Sequence, residues 1–356
     1  MNGLTRGITL ALLVSSQSAA QPTVRWSSAD EYLARALGLS AAELAAIARG
    51  EPIAKQLAVR EDRDVAMIAV VDVVVPRSYF VERQRDFSRA IHTTSQRAAQ
   101  VFSRPARDAD VSLLEVTDEE VEQMAKCRPS ACDFKLPGAD MTAVRALATG
   151  PNAPGRVTAY ARQRIVAYVN DYRRRGDSAL VVYDDRERVS ASVAFDAMFR
   201  DWTPVYDGLP SAKQLMSNTP GQSVGGPDDA IFWTIDQITA VRPTLRILHA
   251  ALYSPPEFAA ASAVVRRQLY ANHYLEAGLE LLIAVQRPSG TAVTLIALRR
   301  YRFDNLPAGP LNLRRRVSAG LEANMLGELR RLKREYESDW PAGGKKQDAD
   351  EAHAKP

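Results

Sequence analysis

The mostly apolar run "SAAELAAIARG" (40–50) predicts a helix, with Ser40 three residues before Glu43 as a capping box and Gly50 ending the run. The period then changes. "EPIAKQLAV" and "DVAMIAVVDVVV" flank the polar link "REDR", which predicts two strands joined by a short turn. The second is apolar on both faces from Val65 to Val75, as in a strand packed between two layers. Asp72 interrupts it and reads as a strand-end carboxylate facing water. Pro76 stops the strand, and "RSYFVERQRDFSRAI" resumes at helical spacing. "DVSLLEV" (110–116) predicts a further short strand, and "TDEEVEQMAKC" a helix with acids in its first turn, where the dipole favours them.

After the breaker cluster "PNAPG" (151–155), Val157, Tyr160, Ala161, Ile165, Tyr168, Val169 and Tyr172 form an amphipathic stripe. Two more helices are predicted around Ala191 to Arg200 and Ser211 to Ser217, before "TPGQSVGGPDD" ends the region. Residues 138–227 therefore read as a mostly helical block inserted into a sheet domain. From Ala230 the period is again two: "TLRILHAALY", "VVRRQLYANHYLEAGLELLIAVQ" and "TAVTLIALRRYRF" predict strands, the second a single long one bent near Gly278. A terminal helix follows from about Leu311 to Ser338, with Leu313, Val317, Leu321, Met325, Leu329, Leu332 and Tyr336 along one line. Gly320 and Gly327 interrupt it, at about 1 kcal/mol each against alanine, and suggest close approach to the sheet or room for a ligand. The polar end, 341–356, is expected to be disordered. The chain thus divides into a leader (1–20), a helical arm (21–49), an α+β domain with its insertion (50–340) and a tail.

Composition changes the picture in one respect. The chain is 46% apolar and 25% charged over 356 residues, which suits an ordinary globular domain. At the N-terminus, Arg6, the apolar run Ile8 to Val14 and small residues at Ser18 and Ala20 have the order of a secretory signal cleaved after Ala20. Export to the periplasm or medium is therefore expected, with a soluble mature chain. Losing Arg6 takes the net charge from +4 to +3, which gives no case for a nucleic acid partner. The tyrosine-rich basic helix after 155 suits an anionic membrane surface, but a packed helix with a solvated arginine face explains the same pattern.

Export also decides how the only two cysteines, in "CRPSACDFKLP" (127–137), are read. Four spacers do not make the redox motif C-x-x-C, and two thiolates alone make a poor metal site. An exported Cys127 and Cys132 are expected to close a small disulfide ring where the sheet domain meets the insertion. No HxH or HExxH occurs, His92 falls on a helix and His353 in the tail, so nothing calls for a metal or another cofactor.

Alternation places His273 on the apolar face with Leu275, Ala277, Leu279 and Leu281, and His249 on one with Leu245, Ile247, Ala251 and Tyr253. Such a pair suits ligand orientation or acid–base work, or is simply hydrogen-bonded in a core. "GQSVG" (221–225) matches the nucleophile-elbow pattern around Ser223, but lacks the strand before and helix after that give the pattern meaning.

Element order carries a resemblance. "GEPIAKQLAVREDRDVAMIAVVDVVVPRSYFVERQRDF" (50–87) and "YRFDNLPAGPLNLRRRVSAGLEANMLGELRRLKREYE" (301–337) make the chain resemble the START-like, helix-grip superfamily. The Cys-x4-Cys loop and the "YANHYLEAGLEL" strand are also similar to an uncharacterised family of exported bacterial proteins. The START-like resemblance implies a curved antiparallel sheet wrapping the terminal helix, with an apolar small molecule or lipid between them. His249, Tyr253, His273, Tyr301, Leu321 and Met325 are the expected lining, as binding and not catalytic residues. Two other readings stay open: a hydrolase or cyclase-like enzyme using Ser223 or the histidine pair, and a protein-interaction module with a filled core.

Overall fold

The computed structural model describes residues 26–92, 96–200, 209–216, 228–237, 242–306 and 313–353. The leader expected at 1–20 and Ser223 with its surrounding motif lie outside the described residues.

An eight-stranded, wholly antiparallel sheet organises the chain. Its strands are β1 (Ile53–Leu57), β2 (Asp64–Val73), β3 (Gln96–Val101), β6 (Asp229–Asp236), β7 (Thr244–Tyr253), β8 (Ala261–Ala271), β9 (Leu275–Gln286) and β10 (Val293–Phe303). Across the sheet they run β1-β2-β10-β9-β8-β7-β6-β3. Helices α3 (Arg77–Arg85) and α4 (Phe87–Ala90) connect β2 to β3. Since β3 and β6 are neighbours, the described residues between 102 and 228 form an excursion from the sheet. It holds α5 (Asp118–Met124), α6 (Gly138–Leu147), α7 (Ala153–Arg175), the small hairpin β4 (Val182–Tyr183) and β5 (Val189–Ser190), α8 (Ala191–Arg200) and α9 (Pro210–Met216). The terminal helix α10 (Leu313–His353) runs on past residue 340, into the stretch where the sequence predicts disorder.

Helices cover both faces of the sheet. On one, Val317, Leu321, Met325, Leu329, Leu332 and Tyr336 of α10 join Tyr79 and Phe80 of α3 over the odd positions of β2, Val65 to Val73. On the other, α1 (Ala29–Arg35), α2 (Ala41–Ala48), α8 and α9 pack on Ala66, Ile68 and Val70 and on Ala277 to Val285. This explains why β2 is apolar on both faces.

Three sequence expectations are corrected. The long strand predicted from 264 to 286 is a hairpin, turned at Asn272, His273 and Tyr274, with Tyr274 at φ 56° in the left-handed region. The turn contains no glycine or proline, so no punctuation marked it. His273 consequently sits in the turn and not on a strand face. The predicted strand at 110–116 is a 3-10 turn (Asp108–Val111) followed by irregular chain. Arg162 donates to the carbonyls of Ser112 and Leu114, replacing a sheet ladder as their partner. Finally, the apolar odd face of β9 looks away from α10, toward the N-terminal and inserted helices. The β9 residues facing α10 include Glu280, Leu282 and Ala284. Gly278 has a defined steric reason: a Cβ there would lie 3.0 Å from Gln268 Oε1 and 3.0 Å from Tyr301 Cδ1. Gly327 has none of the predicted closeness, since a Cβ there would meet nothing within 4 Å.

Candidate functional site

A cavity of about 430 Å3 opens between α7 and the sheet, on the face opposite α10. One wall is the stripe read from sequence: Val157, Tyr160, Ala161, Ile165 and Tyr168. The floor is Ile235 of β6, Leu245 and Ile247 of β7 and Tyr270 of β8. Tyr270 reaches it because the β7–β8 register shifts between Ile247 and Leu248, which sets Gln268 opposite Leu248 and Tyr270 opposite Ile247. The bulge at Leu269 therefore reverses the alternation of β8 and turns a tyrosine into the cavity.

The third wall is Met124, Phe134, Leu136 and Val144, on either side of the cysteine loop. Cys127 and Cys132 form a disulfide with Cα atoms 4.4 Å apart. The loop docks on the small hairpin, with Ser130 N donating to Asp184 O at 2.8 Å and Cys132 N to Asp185 O at 3.1 Å. Lys135 fastens the wall to the sheet: its N–H donates to Asn272 O at 2.8 Å, and its carbonyl accepts from Tyr270 Oη at 3.1 Å. The buried Lys135 ammonium lies 3.4 Å from Asp185, 3.7 Å from Asp304 and 4.6 Å above the Tyr183 ring. Removing the disulfide with paired Cys127→Ala and Cys132→Ala changes is expected to cost about 2 kcal/mol for so small a ring. Urea unfolding measures the loss, and a ligand bound here should leave the double variant faster.

The tyrosine hydroxyls around the cavity are spent on the protein. Tyr168 donates to Leu269 O at 2.7 Å and Tyr160 to Asp140 at 2.6 Å, leaving the rings free for apolar contact. Burial, then the Asp140 carboxylate, pushes the Tyr160 hydroxyl up to about 12. The rim is charged, with Arg164 paired to Asp140 and Arg174 to Asp171. Asn272 is different. Its Oδ1 accepts from Leu245 N at 2.8 Å, which fixes the amide orientation, and its Nδ2 has no partner among the described residues.

The residues singled out in the sequence are distributed over several places. Tyr301, Leu321 and Met325 do meet between the sheet and α10. The space there is only about 40 Å3, and Thr234, Asp236, Arg246, Arg266, Glu280 and Arg299 make it polar. Tyr301 Oη donates to Glu280 at 2.7 Å. Tyr253 packs with the N-terminal helices on the other face. His273 donates to or accepts from nothing that His249 touches: its Nδ1 pairs with Asp133 O at 2.9 Å and its ring lies 4.5 Å from Phe134.

His249 is held by Asp229 Oδ2 at 2.9 Å and Tyr172 Oη at 3.1 Å, with Arg104 also paired to Asp229. Burial lowers its pKa to about 4, aided by Arg267, Arg104 and Arg173. The ring is neutral at pH 7, while in the unfolded chain it titrates near 6.5. Below pH 6.5 the unfolded chain takes up the proton first, so stability falls as pH drops toward 4. The loss attributable to His249 should reach about 2 kcal/mol at pH 5. Urea midpoints at pH 7.5 and pH 5 test this, because His249→Gln should remove that part of the pH dependence.

Among the described residues no group of three or more His, Cys, Asp or Glu is placed to hold a metal ion. No helix among them is long and apolar enough to cross a membrane. Compared with known protein families and with curated proteins, the chain matches none.

Proposed function

We propose that this is an exported, START-like binding protein for an apolar small molecule or lipid chain, which it holds between α7 and the sheet. The observation that carries the reading is the 430 Å3 cavity walled by aliphatic and tyrosine side chains. Its size falls within the roughly 300–1,000 Å3 of small-molecule sites. The resemblance implies a ligand between sheet and terminal helix, but the 40 Å3 available there favours the other face. Asn272 Nδ2 gives a ligand oxygen one place to bond, so an apolar body bearing a carbonyl or hydroxyl suits the site best.

The START-like assignment is supported by the β2-α3-α4-β3 opening, the β6 to β10 meander and the closing helix α10 on the face shared with α3. Export is supported by the signal-like first twenty residues and the disulfide. An open cavity also weighs against an interaction module with a filled core. The enzyme reading loses its histidine pair, since His249 and His273 have separate partners. Titration with an apolar fluorescent dye tests the proposal: saturable binding at one site is expected, and a signal that never saturates, or none, would remove it.

A further inference from the structure

A second, independent site lies on the α10 face of the sheet. The polar cavity there is about 40 Å3, room for about three water-sized groups at roughly 10–15 Å3 each. Among its lining side chains, Arg246 is fully engaged: Nε donates to Gln268 at 3.2 Å, Nη1 to Asp236 at 2.8 Å and Nη2 to Glu280 at 2.8 Å. Arg299 is paired with Glu328, which lies outside the lining. Arg266 is not engaged in this way. Its Nη1 comes no closer than 3.7 Å to Glu280 Oε2, beyond hydrogen-bonding distance, although the side chain is only 11% exposed. Glu280 Oε1 is taken by Arg246 and Tyr301, so Oε2 is the oxygen that Arg266 faces. Thr234 faces the same cavity at 1% exposure, and its Oγ1 has no hydrogen-bond partner among the described residues.

The Thr234 hydroxyl, buried with no partner among the described residues, carries a desolvation cost that a ligand can relieve, and the Arg266 guanidinium, ion-paired with Glu280 at 3.7 Å, keeps donors open to a bidentate acceptor. The lining carries three guanidiniums, Arg246, Arg266 and Arg299, and two carboxylates, Asp236 and Glu280, with Glu328 neutralising Arg299 from outside the lining. A planar two-oxygen anion matches the arginine fork, and the volume admits little more than that group. From this geometry we infer that the protein binds a small carboxylate between the sheet and α10, with Arg266 as the fork and the Thr234 hydroxyl as a further donor.

The test uses the full chain and sodium acetate, with sodium chloride at matched ionic strength as the control. Following the Arg266 side-chain N–H resonances by NMR, acetate should give a saturable shift that chloride does not. Arg266→Gln should weaken acetate binding at least tenfold. Thr234→Val, which keeps the shape of the side chain, should weaken it severalfold and remains informative if the arginine variant does not fold. Octanoate separates a free small acid from the head of a longer one, and exclusion of octanoate is expected from the volume. Acetate and chloride acting alike, or acetate binding unchanged in Thr234→Val, would overturn the inference. Because this cavity and the one under α7 lie on opposite faces, its failure leaves the apolar site untouched.

Discussion

Asp64→Asn is expected to lower the stability of the fold by about 3–5 kcal/mol, a large part of the roughly 5–15 kcal/mol that holds a domain together. Asp64 begins β2 with no solvent exposure and lies opposite Arg302 in the β2–β10 ladder. Its Oδ1 accepts from Arg302 Nε at 2.7 Å, and its Oδ2 from Arg302 Nη2 at 3.0 Å and from both Nε and Nη2 of Arg300. Arg300 is fully buried and Arg302 nearly so. Asp64 is thus shared by two buried guanidiniums where the low dielectric makes the loss of a counter-charge costly. Asparagine keeps the size and one acceptor oxygen but removes the charge. Urea unfolding at pH 7 measures the difference. A loss under about 1 kcal/mol, the range of an exposed pair, would mean that the two arginines reach water and that this end of the sheet is not sealed. The i,i+4 pair Arg331–Glu335 on α10 is the internal control, because solvent screens it.

The second large effect is on binding. Ala161→Trp should reduce affinity for an apolar ligand at least tenfold, or about 1.4 kcal/mol, while changing stability little. Ala161 lies in the α7 wall of the cavity, between Val157 and Ile165 in the stripe. A bulky side chain there enters empty space and does not press on packed neighbours, so it costs less than overpacking a filled core. A dye titration paired with urea unfolding separates the two quantities. Lost binding with retained stability supports the site; retained binding in a folded variant places the ligand elsewhere.

Much of this arrangement was legible from residue pattern, and the parts that were not have physical reasons. The α7 stripe, the terminal helix line and the β1–β2 pair follow from local periodicity, and the disulfide is expected from the spacing of the two cysteines in a chain read as exported. Periodicity identifies an apolar face but not what covers it. On β9, Leu279, Leu281 and Ile283 are as apolar as predicted, yet in a sheet covered on both faces they meet the inserted helices and not α10. Residue pattern could not show that the α10 face would carry Arg246, Arg266 and Glu280. Nor could it show the turn at His273, where Asn272 stands alone with no glycine or proline beside it, or the bulge at Leu269 that turns Tyr270 inward. Strand β3 went unrecognised because "QRAAQV" is a short edge strand with little alternation, held by its ladder to β6. The apolar cavity itself depends on how closely α7 approaches the sheet, which spacing along one helix does not encode.

Methyl NMR during titration with an apolar ligand tests the central claim most directly. The account predicts saturable shifts at Ile165, Ile247, Leu245 and Val144, which line the cavity under α7, with the methyls of Val317, Leu321 and Leu329 on the α10 face unmoved. Shifts confined to Val317, Leu321 and Leu329, with Ile165 and Ile247 unchanged, would contradict it and return the ligand to the space beneath the terminal helix.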